Sequence, residues 1–368
     1  MHTIQITIDS GSPRTALIGA STFAIRPAID LGTQVVMLVW AILLVLLPLD
    51  ASAGQFQNLF DRVHPSVVTL HTVGRLSTPR GLTSAEGIGS GVIIDEHGHV
   101  MTAAHVVQSA DLVQVEFVDG FETTAAIIYS DPARDVSLLK LDELPDGMTW
   151  SAVGNSDSVR TGDEVFVIGA PLGLSHTLTT GVISSRRPAA PDESSGLLAE
   201  VLQTDASINQ GNSGGPLYNT KGEIIGIVSH IRSSSGGSQG LGFAVAINDA
   251  SKTLLTDNRP WTGMTGVMIS GRIARALNVP QPHSILVQRT ARNSPSSRFG
   301  LRSSDVPVMI GGRELLVGGD IILAVNDIDV SPNFDDDLLK NRDQLDNSLT
   351  RLTVLRDGKR IVLTGPPP

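Results

Sequence analysis

The sequence predicts a mainly β protein, a β-barrel or sandwich followed by a smaller α+β domain. Three observations carry this. Short β-rich runs, broken by Gly, Pro, Asn and Asp, recur from about Phe60 to Asp249. Helical periodicity is missing there, apart from short candidates at Gln55–Arg62 and Asn248–Thr256. Near the C-terminus, Arg356-Asp357-Gly358-Lys359 separates two apolar runs, and Asp-Gly in that setting signals a two-residue hairpin.

Taken in order, the chain opens with a segment unlike the rest. Every residue from Val35 to Leu47 is apolar, and Pro48-Leu49-Asp50 and Ala51-Ser52-Ala53 follow. Such a run is shorter than the ~20 residues of a comfortable membrane span, and it suits the core of a signal peptide with a small-x-small cleavage site. Residues 1–53 therefore read as a cleaved leader or as an anchor held through residues 35–49. Both place the remainder outside the cytoplasm.

Strands are predicted at Ser66–Leu70, Gly91–Ile94, Val113–Val118, Glu164–Ile168 and Ile224–Val228. The Gly/Ser/Pro-rich stretches Arg186–Gly196 and Ser233–Gly240 read as surface loops. A boundary falls near Asp257-Asn258-Arg259-Pro260, giving domains at 54–257 and 258–365. The second holds a short helix at Ile273–Leu277, strands at Ile285–Val287 and Ile321–Val325, and the closing hairpin.

The 368 residues include 27 Lys+Arg and 37 Asp+Glu, a formal charge of -10, and no cysteine. Disulfides, thiolate catalysis and cysteine-ligated metal are thereby excluded. The acidic balance argues against a nucleic-acid partner, which needs clustered cations. Arg186-Arg187 is too short for such a patch and is expected to be solvated. His97-Gly98-His99 reads as a turn, with no further ligand joining the two histidines.

Chemistry is concentrated in Gly211-Asn212-Ser213-Gly214-Gly215-Pro216. A serine hydroxyl needs a neighbouring base to act as a nucleophile, and glycines let backbone N–H groups turn toward a developing oxyanion. The base is expected in Thr102-Ala103-Ala104-His105-Val106-Val107, where small residues leave room for an imidazole. Asp135 enters an apolar strand, where a carboxylate is costly unless it accepts a hydrogen bond. The order His105, Asp135, Ser213 is that of the chymotrypsin-like arrangement.

On these motifs the chain resembles the HtrA (Deg) family of serine proteases. Gly87-Ile88-Gly89-Ser90-Gly91-Val92-Ile93-Ile94-Asp95, Thr180–Ser185 and Gln203–Asn209 match as well, and the likeness runs from about Phe56 to Leu363. It implies a chymotrypsin-like double β-barrel followed by one PDZ domain, with His105, Asp135 and Ser213 catalytic and the amides of Gly211 and Ser213 forming the oxyanion hole. No metal or organic cofactor is implied. By the same resemblance the primary pocket is walled by Ser207, Ile208, Asn209 and the strand Ser229-His230-Ile231, with Asp205 nearby. Small aliphatic residues are the expected preference. Asn212 stands where trypsin-type zymogens carry aspartate, so activation by a new N-terminus is not expected.

Trp261-Thr262-Gly263-Met264 resembles the family's carboxylate-binding loop, beside which a peptide adds as a strand. Asn293-Ser294-Pro295, Phe299-Gly300-Leu301 and Gly319–Asn326 match the same module, with Arg302–Gly318 a hairpin insertion. The resemblance implies an ATP-independent endopeptidase of the cell envelope, a homotrimer with Phe56 and Phe60 near the contact, acting on unfolded polypeptides or protein C-termini. Two alternatives stay open: an anchored signalling protease cutting one regulator, and a PDZ chaperone or adaptor with a dormant protease fold.

Overall fold

The computed structural model describes Gly32 and residues 54–78, 81–170, 176–189, 197–231, 237–310, 313–341 and 350–366. Apart from Gly32, the predicted leader, with its apolar run and the anchor segment 35–49, lies outside them, as do parts of both Gly/Ser/Pro-rich stretches. Among the described residues no helix is long and apolar enough to cross a membrane.

Alternation of buried and exposed residues builds two closed six-stranded barrels. The first comprises β1 (Val67–Thr78), β2 (Gly81–Ile93), β3 (His99–Thr102), β4 (Leu112–Glu116), β5 (Glu122–Asp131) and β6 (Val136–Leu141). The second comprises β7 (Glu164–Gly169), β8 (Thr177–Arg187), β9 (Val201–Thr204), β10 (Pro216–Asn219), β11 (Ile224–Ile231) and β12 (Gly242–Ala246). Each has its own apolar filling, Leu70, Ile93, Val100 and Leu139 in one and Val165, Ile183, Leu202 and Val228 in the other.

A third cluster occupies the seam and includes Val67, Met101 and Leu138 from the first barrel with Phe166, Ile227 and Val245 from the second. Helix α1 (Gln55–Val63) closes one side of it, its Leu59 and Val63 buried. Phe56 meets Phe166 edge-on at 5.9 Å, and Phe60 stacks on His64 at 4.5 Å, so both rings are engaged within the chain. At the seam's centre Tyr218 is fully buried. Its hydroxyl bonds Ser151 Oγ at 2.7 Å, which satisfies a polar group that would otherwise be costly there. Burial pushes its pKa up to about 12.

Arg186 and Arg187 end β8 rather than starting a loop, because that strand continues its pairing with β9 to Arg187↔Val201. Nor is Arg186 free in solvent: it pairs with Glu200 at 2.7 Å and donates to the Val159 carbonyl. A carboxylate also joins the His97–His99 turn. Asp95 accepts from the His97 and His99 amides and bonds the His99 ring at 2.6 Å.

Beyond α2 (Ala104–Val107) and α3 (Ile247–Ser251), the chain passes through a π-helical turn, Lys252–Thr256. It then runs along the first barrel. Pro260 bridges Tyr129, Ser130 N donates to Arg259 O, and Arg259 pairs with the buried Asp131 at 3.0 Å. The C-terminal sheet has the order β13 (Met264–Ser270), β14 (His283–Thr290), β17 (Ile321–Val325), β19 (Thr350–Arg356) and β20 (Lys359–Gly365), with the short β18 (Ile328–Asp329) pairing β17 off this path. Helices α4 (Gly271–Ala276), α5 (Pro295–Arg298) and α6 (Phe334–Lys340) accompany it. The expected insertion is a separate two-stranded ladder, β15 (Val306–Ile310) with β16 (Arg313–Val317). The β19–β20 turn places Asp357 and Gly358 at φ 52° and 73°, the two left-handed residues a type I′ hairpin requires.

Candidate active site

His105 lies in α2, directly after β3, with Ala103 and Ala104 fully buried beneath it. Its imidazole stays half-exposed. Asp135 occupies the tight turn between β5 and β6 at φ 57°, a left-handed conformation that Asp tolerates better than most residues. That turn aims the carboxylate inward, where it is 6% exposed. His105 Nδ1 lies 3.0 Å from both Asp135 oxygens, and the His105 backbone N–H donates to Oδ1 at 2.9 Å.

Burial acts against both charges, yet the hydrogen bonds outweigh it. Desolvation would lower the His105 pKa, but its bond to Asp135 and that carboxylate's charge raise it above the ordinary imidazole value. Desolvation would likewise raise Asp135, but the His105 and Ser229 bonds hold it below the usual carboxylate range. A negatively charged partner fixes the Nδ1–H tautomer and leaves Nε2 free to accept a proton.

Ser213 comes from the second barrel, on the turn between β9 and β10. Gly211 takes φ 104° and Gly214 φ 83°. At Gly214 no side chain fits, since a Cβ would lie 2.1 Å from Thr102 Oγ1 and 2.3 Å from Ser90 O. The Ser213 hydroxyl donates to the Ser229 carbonyl at 3.2 Å rather than to His105. Ser229 Oγ in turn donates to Asp135 Oδ2. His105, Asp135, Ser229 and Ser213 thus form one connected group across the seam. The amides of Gly211 and Ser213 have no acceptor among the described residues.

Other sequence-predicted pocket residues distribute differently. The Ser229 side chain is turned to Asp135, and its backbone carbonyl faces Ser213. Ile208 is 2% exposed in the second-barrel core, its Cδ1 against Gly242. Ser207 is exposed, Asn209 holds Ser238 N through its side-chain oxygen, and His230 stacks on Phe243 at 5.1 Å. Of Ile231 only the backbone position in β11 is described. Asp205 is tied to β8, accepting from Val182 N at 2.7 Å. Asn212 is buried, its Oδ1 without a partner among the described residues.

The segment Trp261-Thr262-Gly263-Met264 sits against the helix that carries His105. Gln108, at the end of α2, donates through Nε2 to Met264 O at 2.9 Å and Thr262 Oγ1 at 3.3 Å, while Trp261 Nε1 donates to Gln108 O at 3.0 Å. Gly263 has φ 71°, and a Cβ there would strike Ser294 at 2.1 Å. No group of three or more potential metal ligands occurs among the described residues.

Two members of this cluster carry little signal in the sequence. Ser229, expected beside the primary pocket, gives its hydroxyl to Asp135. Ser90, within the Gly87–Asp95 motif, bonds the Ser213 turn at Gly211 O. A small polar residue between Gly89 and Gly91 in a strand was the available signal, since such glycines mark close backbone approach.

Comparison with known proteins agrees with this geometry. Residues 89–227 match the family model for the trypsin-like peptidase domain. A probable periplasmic serine endoprotease, DegP-like, from Pseudomonas putida strain F1 is 32% identical over 320 residues, covering 85% of this chain and 61% of the relative. One from Ectopseudomonas mendocina is 33% identical over 324 residues, covering 86% and 66%. The chain therefore spans less than two thirds of the length of curated relatives it matches. The solved structure of the HtrA-type protease AlgW with a decapeptide superposes with a TM-score of 0.50 at 29% identity, covering 85% of this chain and 99% of that one. A variant of the same protease, also with a decapeptide, gives a TM-score of 0.52. Fold, catalytic-type cluster and relatives converge, and the chain belongs to the HtrA family of trypsin-like serine proteases.

Proposed function

We propose that the protein is an extracytoplasmic, ATP-independent serine endopeptidase acting on unfolded polypeptides or exposed protein C-termini. The observation that carries this is the connected group His105–Asp135–Ser229–Ser213, with Gly211 beside it. In the reaction Ser213 Oγ leaves the Ser229 carbonyl by rotation about its Cα–Cβ bond and attacks the scissile carbonyl as His105 Nε2 takes its proton. Asp135 holds the imidazole and stabilises the imidazolium. The Gly211 and Ser213 amides receive the oxyanion. His105 then protonates the leaving amine, and water repeats the sequence to release the acyl group.

The periplasmic names of the relatives support an extracytoplasmic site of action. A role for residues 258–365 as a PDZ domain rests on the glycine-pinned Trp261–Met264 loop and on β13, an edge strand whose only partner among the described residues is β14. A peptide C-terminus bound there adds as a further strand. Gln108 places that loop three residues from His105, so occupancy and activity are coupled through a buried amide.

The test is hydrolysis of an unfolded protein such as casein by wild type, Ser213→Ala and His105→Ala. Each variant is expected to remain folded and lose at least about 10³-fold in kcat, the double variant little more. Retained activity in Ser213→Ala overturns the assignment.

A further inference from the structure

Ser90 is fully buried on β2, and all its polar groups are engaged. Its Oγ donates to Gly211 O at 2.8 Å and accepts from Ala170 N at 2.9 Å. Its backbone N–H donates to Ser213 O at 2.8 Å, and its carbonyl accepts from Thr102 Oγ1 at 2.7 Å. One residue of the first barrel therefore holds the two carbonyls that flank Asn212 on the nucleophile turn of the second.

Those carbonyls belong to peptide planes whose opposite ends are also tied. Asn212 N, in the plane of Gly211 O, donates to Asn209 O at 3.0 Å; Gly214 N, in the plane of Ser213 O, donates to Val228 O at 2.7 Å. Between them lies the plane carrying Ser213 N–H, and on the other side of Gly211 lies the one carrying Gly211 N–H. Gly211, lacking a Cβ, has wide backbone freedom, so an external restraint on its peptide fixes the aim of its neighbours. We propose that Ser90 is a positioning residue for the oxyanion-binding amides, its hydroxyl fixing the Gly211–Asn212 peptide and so the aim of the Gly211 and Ser213 N–H groups. Serine suits the position because it must both donate and accept in a small space. Hypothetical Cβ atoms on Gly169 and Gly215 already come within 3.1 Å of Ser90 Oγ and 3.2 Å of Ser90 Cβ.

The inference rests on Ser213 being the nucleophile, and the test separates the two. Full-length Ser90→Ala and Ser90→Cys are compared with wild type for kcat, KM and inhibition by a peptide boronate, which adds to the serine hydroxyl and mimics the oxyanion. Binding of an uncleaved peptide is measured on the Ser213→Ala background with and without Ser90→Ala. The expectation for Ser90→Ala is a kcat about 10–100-fold lower with KM nearly unchanged, less than the loss on removing an oxyanion donor outright. Boronate affinity should fall in parallel, ground-state peptide binding should not change, and Ser90→Cys, which keeps a weak donor and acceptor, should recover part of the loss. Should Ser90→Ala fail to fold, the parallel loss of kcat and boronate affinity is read from Ser90→Cys alone. Unchanged kcat, a change confined to KM, or lost kcat with intact boronate affinity overturns the proposal. Of these, unchanged kcat in Ser90→Ala alongside an inactive Ser213→Ala leaves the nucleophile assignment standing.

Discussion

Asp135 at the barrel seam and Asp320 in the C-terminal sheet are both buried carboxylates, and the difference between them separates chemistry from architecture. Asp320, 0% exposed, takes a bidentate pair from Arg356, with Nε at 2.7 Å and Nη2 at 2.7 Å, and accepts Arg302 N at 2.9 Å. Its partner is permanently charged, and the fork geometry matches the carboxylate. Asp135 is paired instead with an imidazole, which titrates near neutrality, and sits in a left-handed backbone conformation. One acid is satisfied by a fixed charge and locks a fold. The other is satisfied by a partner whose charge comes and goes, on a half-exposed ring beside a hydroxyl.

The contrast sharpens into mutations of the same chemical kind. Asp135→Asn is expected to preserve the fold and lower kcat by about 10⁴-fold, because the amide favours the wrong imidazole tautomer. Steady-state kinetics beside a circular dichroism melt read both halves of that claim. Asp320→Asn should do the reverse, costing about 3–5 kcal/mol of stability by leaving Arg356 unmatched while kcat of the folded fraction stays near wild type. Denaturant titration measures it, and a stable but inactive Asp320→Asn breaks the comparison.

The smallest effect expected is on pH dependence. His105 must be neutral to act as the proposed base, and its bond to Asp135 raises its pKa, so kcat/KM should climb with pH through a midpoint above the ordinary imidazole range. The sign for stability is opposite. The extra stability from the protonated His105–Asp135 pair is complete below the unfolded imidazole's pKa and is lost as pH rises through the raised folded value. Removing the carboxylate in Asp135→Asn should move the kinetic midpoint down, toward the ordinary histidine range. A midpoint unmoved by that substitution would show that Asp135 does not set the basicity of His105.

Local pattern determined much of this protein. The Asp357-Gly358 turn, the strand at Ile321–Val325 and the segments around His105, Asp135 and Ser213 are encoded by neighbours in sequence, through turn chemistry, alternation and small-residue spacing. What closing the two barrels decided is of another kind. Ser229 reaches Asp135 across 94 residues, Ser90 reaches Gly211 across 121, and Gln108 meets Met264 across 156. Arg186, by composition a loop residue, became part of a strand because β9 and Glu200 were there to receive it. A lone serine or glutamine carries no periodicity to reveal its partner. Only burial, by stripping water from its polar atoms, dictates which distant group must replace that water.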